Sequence, residues 1–324
     1  RTSSSAASDV YKRQTHNGPY YDIVDVPTNG EIGGVPSGYE LYYSFDYGNV
    51  HFISLNSEIG SLLSSSDDWL GTNPFSTFVT SPMLEWLEDD LIANDKMWTV
   101  VYFHQPPHTK GSHKSDTFWE LYMKAMRENY MPLVEQYGVD LVLGGHSHVY
   151  ERSFLIHGHY GDIASFNPST MILDNGSGRF ALGEPYVKYT NGPTPNHGTV
   201  HIVCGNSASK DDDANLDHPA MFYGYGCDTC IGSFIIEVDS NRLDGKFLAA
   251  SGDIMDHFTI LKQPDPSTAI LENDFISELK IHPNPFDEKT NVEFSITEAG
   301  NVSVEVLDLC LLYTSPSPRD SMTS

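Results

Sequence analysis

Apolar and polar runs divide the first part of the chain into short predicted elements. Leu41 to Glu58 holds two runs of aromatic and β-branched residues around Tyr47-Gly48-Asn49, which predicts a β-hairpin. Pro82 opens an amphipathic helix that ends near Asn94. Its predicted buried face is formed by Leu84, Leu87, Leu91 and Ile92.

Two continuous apolar runs predict buried strands. The first run extends from Trp98 to Phe103 and is followed by Pro106 and Pro107, which end the strand. The second extends from Val139 to Gly145 and ends in two glycines. A helix over roughly Thr117 to Tyr137 joins them. Strand, helix and strand in this order are typical of a layered α/β domain.

The later part of the chain changes to short β-like runs, which predicts mainly antiparallel structure. These runs are MILDNG, GTVHIVCGN, IGSFIIEV and KFLAASG. Residues 15–262 form the predicted main domain, 263–275 have the composition of a linker, and 276–309 alternate like the strands of a small all-β domain.

The two ends of the chain do not continue the patterns beside them. Residues 1–14 and 310–324 resemble translated adapter sequence, and we interpret both as non-native tails on a native segment that is open at both ends. A pair of ordinary disordered tails is the alternative, which their serine content also permits.

Composition excludes two broad classes of function. The chain has 18 Lys+Arg against 44 Asp+Glu, a formal net charge of −26, and no basic cluster, so it has no role in coating nucleic acid. No stretch approaches the roughly 20 apolar residues of a membrane-spanning helix, which excludes a transmembrane protein. An anionic substrate must therefore be attracted locally, for example by metal ions.

Histidines follow both predicted buried strands. His104 ends the first strand, and His146 and His148 follow the second. Neighbouring strand ends of an α/β sheet open onto one crevice, so three imidazoles are expected to converge there. Neutral imidazole is a common ligand of zinc and iron, which makes this a candidate metal site.

The residues around these histidines resemble a known family. VDLVLGGHSHVYERS, preceded by VVYFHQPPHTKGSHKSD, resembles the calcineurin-like metallophosphoesterases, and most closely their purple acid phosphatase branch. Val101 to His104 and Gly145 to His148 match the fourth and fifth of the five family motifs. The resemblance covers roughly Leu41 to Lys262 and implies a layered αββα sandwich.

The resemblance also implies roles for single residues. His104 and His146 would bind one metal ion and His148 a second, the pair being iron with zinc or manganese. His113 would contact the substrate phosphate or protonate the leaving group, a role for which His108 competes. Lys114 stands where relatives often have another histidine.

The implied reaction is hydrolysis of phosphate monoesters. Two cations roughly 3.5–4 Å apart turn a bridging water into a hydroxide that attacks phosphorus. A phosphodiesterase or nucleotidase on the same scaffold is one alternative, and a noncatalytic secreted surface-binding protein is another.

Three family motifs are absent from the sequence as it stands. They are an Asp after Gly, a Gly-Asp-x-x-Tyr and a Gly-Asn-His, which carry the rest of the metal ligands. We therefore expect weak metal binding and little activity from this chain. Gly48-Asn49-Val50-His51 is a near match to the third motif, but we interpret His51 as a structural strand residue.

Other polar clusters have simpler interpretations. Asp253, Asp256 and His257 are assigned to the edge of a terminal strand, and the run 211–213 of three aspartates to a solvated loop. Cys227 and Cys230 form a CDTC pair whose role as a disulfide, half a zinc site or two thiols stays open.

The C-terminal piece resembles another known module. Residues 276–309, with Pro283-Asn284-Pro285-Phe286 after an alternating strand, resemble the sorting domain of the type IX secretion system of Bacteroidota. This resemblance implies the type IX machinery as a partner and a secreted or cell-surface location. A generic β-sandwich appendage is the alternative.

Overall fold

A computed structural model describes most of the chain. The described residues are 23–58, 82–208, 215–226, 231–266, 276–282 and 291–296. The chain divides into two compact units, unit 1 (Arg1–Asp265) and unit 2 (Pro266–Ser324). The Asp211 to Asp213 run and the Cys227 and Cys230 pair lie outside the described residues.

The described part of unit 1 contains a seven-stranded sheet, a four-stranded sheet, a two-stranded sheet formed by β6 and β7, and a group of short helices. Its strands are β1 (Tyr43–Tyr47), β2 (Val50–Ser54), β3 (Trp98–Tyr102), β4 (Leu141–Gly144), β5 (Tyr150–Ser153), β6 (Leu155–Ile156), β7 (Ile172–Asp174), β8 (Tyr186–Tyr189), β9 (Val200–Cys204), β10 (Met221–Tyr225), β11 (Gly232–Asp239), β12 (Arg242–Ala249) and β13 (Ile254–Gln263). Its helices are α1 (Pro82–Ala93), α2 (Leu121–Ala125), a π-helical turn (Met126–Tyr130), α3 (Met131–Gln136) and α4 (Pro168–Met171), with 3₁₀ turns at Ile163–Ser165 and Phe180–Leu182.

The first sheet has seven strands and a parallel centre. Its order is β1-β2-β3-β4-β9-β5-β10, in which β2, β3, β4 and β9 run parallel. The predicted hairpin is present, because β1 and β2 pair antiparallel across Tyr47 and Val50. The two predicted buried strands, β3 and β4, are direct neighbours, with Val101 opposite Val142. Their carboxyl ends therefore open at the same edge of the sheet.

The second sheet packs on one face of the first. Its order is β11-β12-β13-β8, antiparallel except for the parallel pair β13 and β8. Alternate residues of β12 are buried, which is the pattern of a strand with one face on the core. Trp98, Leu141 and Tyr150 of the first sheet pack in one apolar cluster with Phe247 and Phe258 of the second. The predicted stack of two sheets in an α/β fold is confirmed.

Helices cover the opposite face of the first sheet. Leu87 of α1, Met126 of the π-helical turn and Val134 of α3 are fully buried there. They share a cluster with Val101 of β3 and Val142 of β4. The apolar runs of β3 and β4 are continuous because both faces of these strands are covered.

The buried face of α1 differs in part from the prediction. Leu87 and Leu91 are buried as expected, but Ile92 is 63% exposed. Asp90 lies on the buried face instead and is fully enclosed. Its carboxylate accepts a hydrogen bond from the backbone N–H of Val35 at 2.7 Å, which offsets the cost of burying it.

The later strands pair mainly antiparallel, as predicted. The run that forms β9 pairs antiparallel with β5 and parallel with β4 inside the first sheet. One interpretation of a residue in these strands is wrong. Asp256 was assigned to an edge, but β13 has a partner on each side and Asp256 is fully buried. Arg152 of β5 pairs with it, Nε to Oδ2, at 2.6 Å.

Unit 2 contains a small antiparallel sheet. It is formed by β14 (Ile276–His282) and β15 (Asn291–Ile296). The segment Pro283-Asn284-Pro285-Phe286 and residues 297–309 lie outside the described residues. None of the helices in the described parts of the chain combines the length and the apolar character needed to cross a membrane.

Candidate metal centre

His104 and His146 meet where β3 and β4 end. The backbone N–H of Gly145 donates to the carbonyl of His104 at 2.9 Å, so pairing between the two segments continues past the strands. His104 Nε2 lies 3.0 Å from His146 Nδ1, and the two rings are nearly perpendicular. These two imidazoles therefore lie close together, as expected from the sequence.

The turn that carries His146 has an unusual backbone. His146 has φ 58°, in the left-handed region that residues with a side chain rarely occupy. Such conformations cluster at functional sites, where the surrounding structure holds them in place. Ser147, fully buried, provides that support by donating from Oγ to the carbonyl of His113 at 2.9 Å. One residue thus ties the His146 turn to the loop that carries His113.

Glu120 connects His113 and His146. Its Oε1 lies 2.8 Å from His113 Nδ1, and its Oε2 lies 3.5 Å from His146 Nε2. The rings of His113 and His146 have centroids 4.1 Å apart. Glu120 was missed by the sequence analysis because it stands just before α2 in no family motif. Its only signal was an acidic residue seven positions after a candidate catalytic histidine.

The other predicted residues occupy different places. His148 is half-buried, with its ring centroid 6.4 Å from that of His113. His108 is fully buried, and its ring lies against those of His159, His201 and His218. Lys114 is exposed.

A second carboxylate reaches the same edge of the sheet from the end of β2. Glu58 Oε1 accepts a hydrogen bond from Gln105 Nε2 at 2.8 Å, and Gln105 directly follows His104. The backbone N–H of Gln105 is held by Ser57 Oγ at 3.0 Å. The ends of β2, β3 and β4 therefore all place polar side chains at one edge, although the sequence analysis named only those of β3 and β4.

His146 is neutral at physiological pH. Burial lowers its pKa to about 4, and the nearby rings of His113 and His104 add to the shift. A neutral imidazole keeps a lone pair for a metal ion, whereas an imidazolium does not.

The geometry fits a bound cation. Two imidazole nitrogens on one ion, each about 2.0–2.1 Å from it, lie roughly 3.0–3.4 Å apart. The separation of 3.0 Å between His104 Nε2 and His146 Nδ1 falls in this range. His113, Glu120 and His146 also form a group whose ligand atoms lie within 4.8 Å of one another.

A cleft lies beside the histidines, between the two sheets. It has a volume of about 410 Å³ and is lined by His104, Gly145, Cys204 and Phe234, among others. Cys204 ends β9, so the cleft follows the carboxyl edge of the parallel strands, the usual place for ligands in an open α/β sheet.

Comparison with known proteins shows what this region is similar to. Residues 8–150, which include His104, His113, His146 and His148, match the family model of calcineurin-like phosphoesterases. An acid phosphatase of Aspergillus ficuum is 28% identical over 178 residues, 45% of this chain and 27% of that protein. Purple acid phosphatase 23 of Arabidopsis thaliana is 33% identical over 119 residues, 36% of this chain and 21% of the relative.

The matches span only part of the relatives. The aligned region amounts to about a quarter of the length of these two acid phosphatases. Among solved structures, the purple acid phosphatase from yellow lupin (Lupinus luteus) seeds aligns with 74% of this chain and 39% of its own, with a TM-score of 0.46 and 19% identity.

Proposed function

We propose that this chain forms part of a metal-dependent phosphoesterase that hydrolyses phosphate monoesters at a two-metal site, as acid phosphatases do. The observation that carries the proposal is the 3.0 Å approach of His104 Nε2 and His146 Nδ1 at the ends of two adjacent parallel strands. It lies inside the region that matches the calcineurin-like phosphoesterases.

Each histidine has a role in this proposal. His104 and His146 would hold one cation and His148 a second, with iron and either zinc or manganese as the expected ions. When bound, two such ions would polarise a phosphate ester and activate water at neutral pH. They also supply the positive field that a chain of net charge −26 lacks.

In this proposal, His113 acts on the leaving group. Its Nδ1 faces Glu120 Oε1 at 2.8 Å, which orients the ring and leaves Nε2 for a substrate. From Nε2 the residue would donate a proton to the departing alkoxide or a hydrogen bond to a phosphate oxygen. Glu120 thus positions the proposed general acid.

The first test measures turnover and metal dependence together. The full chain is freed of metal, reloaded with iron, zinc or manganese, and assayed for hydrolysis of a phosphate monoester. The substrate is fluorogenic, because the missing motifs predict weak activity and the assay must therefore be sensitive. We expect metal-dependent turnover that falls at least about tenfold in His146→Ala and not in His197→Ala, a control outside the centre. Turnover that needs no metal, or that His146→Ala leaves unchanged, would refute the proposal.

Substrate preference separates the alternatives. The same assay with bis(p-nitrophenyl) phosphate tests a phosphodiesterase, and one with nucleoside monophosphates tests a nucleotidase. A preference for the diester by more than tenfold would replace the monoesterase proposal. Metal binding without turnover of any of these esters would favour the noncatalytic surface-binding protein.

We also propose that the parent protein is exported by the type IX secretion system. The support is the resemblance of residues 276–309 to its sorting domain, together with the separate C-terminal unit that contains β14 and β15. The full chain and a chain ending at residue 275 are expressed in a Bacteroidota host with intact or disrupted type IX machinery. Export that requires both the machinery and residues 276–324 is expected. Equal retention of both chains in the intact host would argue against it.

A further inference from the structure

A second group of histidines is buried in unit 1 and shares no member with the candidate metal centre. His108 follows β3, His159 follows β6, His201 lies in β9, and His218 precedes β10. Each is at most 2% exposed. The ring centroid of His108 lies 4.4 Å from that of His159 and 5.4 Å from those of His201 and His218. We call these four residues the buried histidine cluster.

Most ring nitrogens of this cluster lack a hydrogen-bond partner within the described part of the chain. His201 Nε2 lies 4.0 Å from Glu135 Oε1, which is beyond hydrogen-bond distance. Neither ring nitrogen has a hydrogen-bond partner in His108, His159 or His201. In His218, Nε2 has no partner. Buried polar groups are almost always paired, since leaving one unpaired costs roughly 1–3 kcal/mol. Several unpaired imidazoles side by side therefore indicate a ligand that these nitrogens share.

The protonation state of the cluster favours a cation over an anion. Burial lowers the pKa of His159 to about 4 and the pKa of His201 and His218 to about 3, and it holds the pKa of His108 well below its ordinary value. Neighbouring imidazoles add to the shift of the last three. At pH 7 the rings are neutral, and each offers one lone pair. Phosphate or sulfate would instead need several N–H donors, of which each neutral ring has one, and would gain no positive charge from these rings.

One positive charge borders the cluster. Arg127 contributes to the lowered pKa of His108, His159 and His218. Its guanidinium is already engaged by Asp116 Oδ1 at 3.1 Å. This ion pair reduces the repulsion that a second cation would meet.

We propose that His108, His159 and His218 bind a divalent transition-metal ion such as Zn²⁺, with the ring of His201 beside them. The three residues each offer a nitrogen within 4.8 Å of the others. Tetrahedral Zn²⁺ holds its nitrogen ligands roughly 3.4 Å apart. Small side-chain rotations that move each ring nitrogen by about 1 Å therefore bring the three nitrogens to this separation.

His218 must exchange one hydrogen bond for the metal. Its Nδ1 accepts from the backbone N–H of Ala220 at 3.2 Å, which leaves the proton on Nε2. Coordination through Nε2 moves that proton to Nδ1, so the long bond to Ala220 is given up. One weak hydrogen bond is lost and a metal–nitrogen bond is formed.

The ion would stabilise the loop between the two ends of the candidate metal centre. His108 stands four residues after His104 and five before His113. The same loop is already held by Glu151, which accepts from the backbone N–H of Lys110 at 3.1 Å. A metal on His108 would join this loop to the segments that carry His159 and His218, in a structural role that does not involve substrate.

The test separates this site from the candidate metal centre. The full chain carrying His104→Ala, His146→Ala and His148→Ala is the background, because these changes remove the histidines assigned to the other site. Chelator-treated protein is dialysed against Zn²⁺, and bound metal and melting temperature are measured. We expect one Zn²⁺ per chain and a higher melting temperature. Adding His159→Gln is expected to weaken Zn²⁺ binding at least about tenfold, whereas His197→Gln leaves it unchanged.

Two further measurements cover a variant that fails to fold. The first uses His218→Gln as a second ligand variant. The second replaces Zn²⁺ with Co²⁺ in the background protein, in which all four cluster histidines are intact. Co²⁺ held by tetrahedral nitrogen ligands gives a visible absorption band. No stoichiometric Zn²⁺ in the background, no such Co²⁺ band, or stabilisation by inorganic phosphate instead of Zn²⁺ would each overturn the proposal. These measurements do not depend on hydrolysis, so they test this site independently of the proposed function.

Discussion

His104 Nε2 lies 3.0 Å from His146 Nδ1, although 42 residues separate the two in the chain. Two parallel strands and the bond from Gly145 to the His104 carbonyl hold them there. Backbone pairing therefore sets the positions of the two residues relative to each other. A preorganised pair of ligands lowers the cost of capturing an ion.

Removal of His104 should weaken metal binding at this pair. We expect His104→Ala to lower the affinity of the full chain for one metal ion at least about tenfold, since the chelating pair of His104 and His146 is lost. Metal titration of the variant and of His197→Ala as control checks it. An unchanged affinity would place the metal elsewhere.

Glu120 should influence catalysis through His113. The change Glu120→Gln retains the size of the side chain but removes the charge that faces His113 Nδ1 and His146 Nε2. We expect kcat to fall about tenfold to a hundredfold. Metal content is measured in parallel, because a loss of bound metal would show that Glu120 is a ligand and not a positioning residue. Glu128→Gln, an exposed acidic residue of the π-helical turn, is the control.

The buried pair of Arg152 and Asp256 should contribute strongly to stability. Arg152 also donates from Nη1 to Tyr186 Oη at 3.0 Å, and Tyr150 Oη donates to Asp256 at 3.0 Å. Arg152→Met leaves a carboxylate enclosed between the sheets without its cation. We expect a loss of about 3–5 kcal/mol in the free energy of unfolding.

The double variant Arg152→Met/Asp256→Leu is the matched control for this pair. It removes both charges, so a large part of the lost stability should return. Denaturant unfolding of the three proteins decides the matter. A double variant less stable than Arg152→Met would show that the pair is not the origin of the effect.

His51 should make stability depend on pH. Burial lowers its pKa, but hydrogen bonds and charge from Asp90 and then Asp46, at 2.9 and 2.8 Å, outweigh burial and raise the pKa above its ordinary value. The folded state therefore binds the proton more tightly than the unfolded state. This contribution is fully present below the unfolded pKa of about 6.5 and is lost as pH rises through the folded value.

The measurement compares wild type with His51→Gln. Lys96, which pairs with Asp46 at 3.3 Å, is unchanged in both proteins. The difference in the free energy of unfolding between the two proteins should shrink steadily as pH rises from about 6 through the range in which histidine titrates. A constant difference over this range would contradict the assigned ion pairs.

Gly205 should be required for the turn that carries His146. A Cβ at this position would lie 2.0 Å from the backbone oxygen of Ser147, closer than any real contact. We expect Gly205→Ala to lower the melting temperature and to weaken metal binding together, because the Ser147 backbone must move. Gly145→Ala is the control, since its Cβ would come no closer than 3.6 Å to His104 Nδ1. Equal effects of the two changes would remove the steric explanation.

Sequence alone determined the parts of this protein that depend on local pattern. Continuous apolar runs without polar alternation predicted β3 and β4 as strands covered on both faces, and the turn at Gly48 predicted the hairpin of β1 and β2. The histidines that follow these strands were found for the same reason. A strand's carboxyl end is visible in the sequence, and parallel neighbours bring such ends together.

Tertiary structure decided which distant groups meet. No local pattern distinguishes Glu120 from other acidic residues, and only the approach of its loop to the His146 turn gives it a role. Arg152 and Asp256 are 104 residues apart, and their pairing depends on how two sheets stack. The parallel placement of β9 beside β4 likewise followed from topology and not from its residues.

The buried histidine cluster shows the same division. His108 was noted in the sequence as a candidate near His113, because spacing along the chain is all that a sequence displays. In the folded chain it lies among His159, His201 and His218, which come from three other segments. Periodicity predicts whether a residue is buried, but the chemistry of a buried polar residue is set by its neighbours, and those are chosen by the long-range packing of the chain.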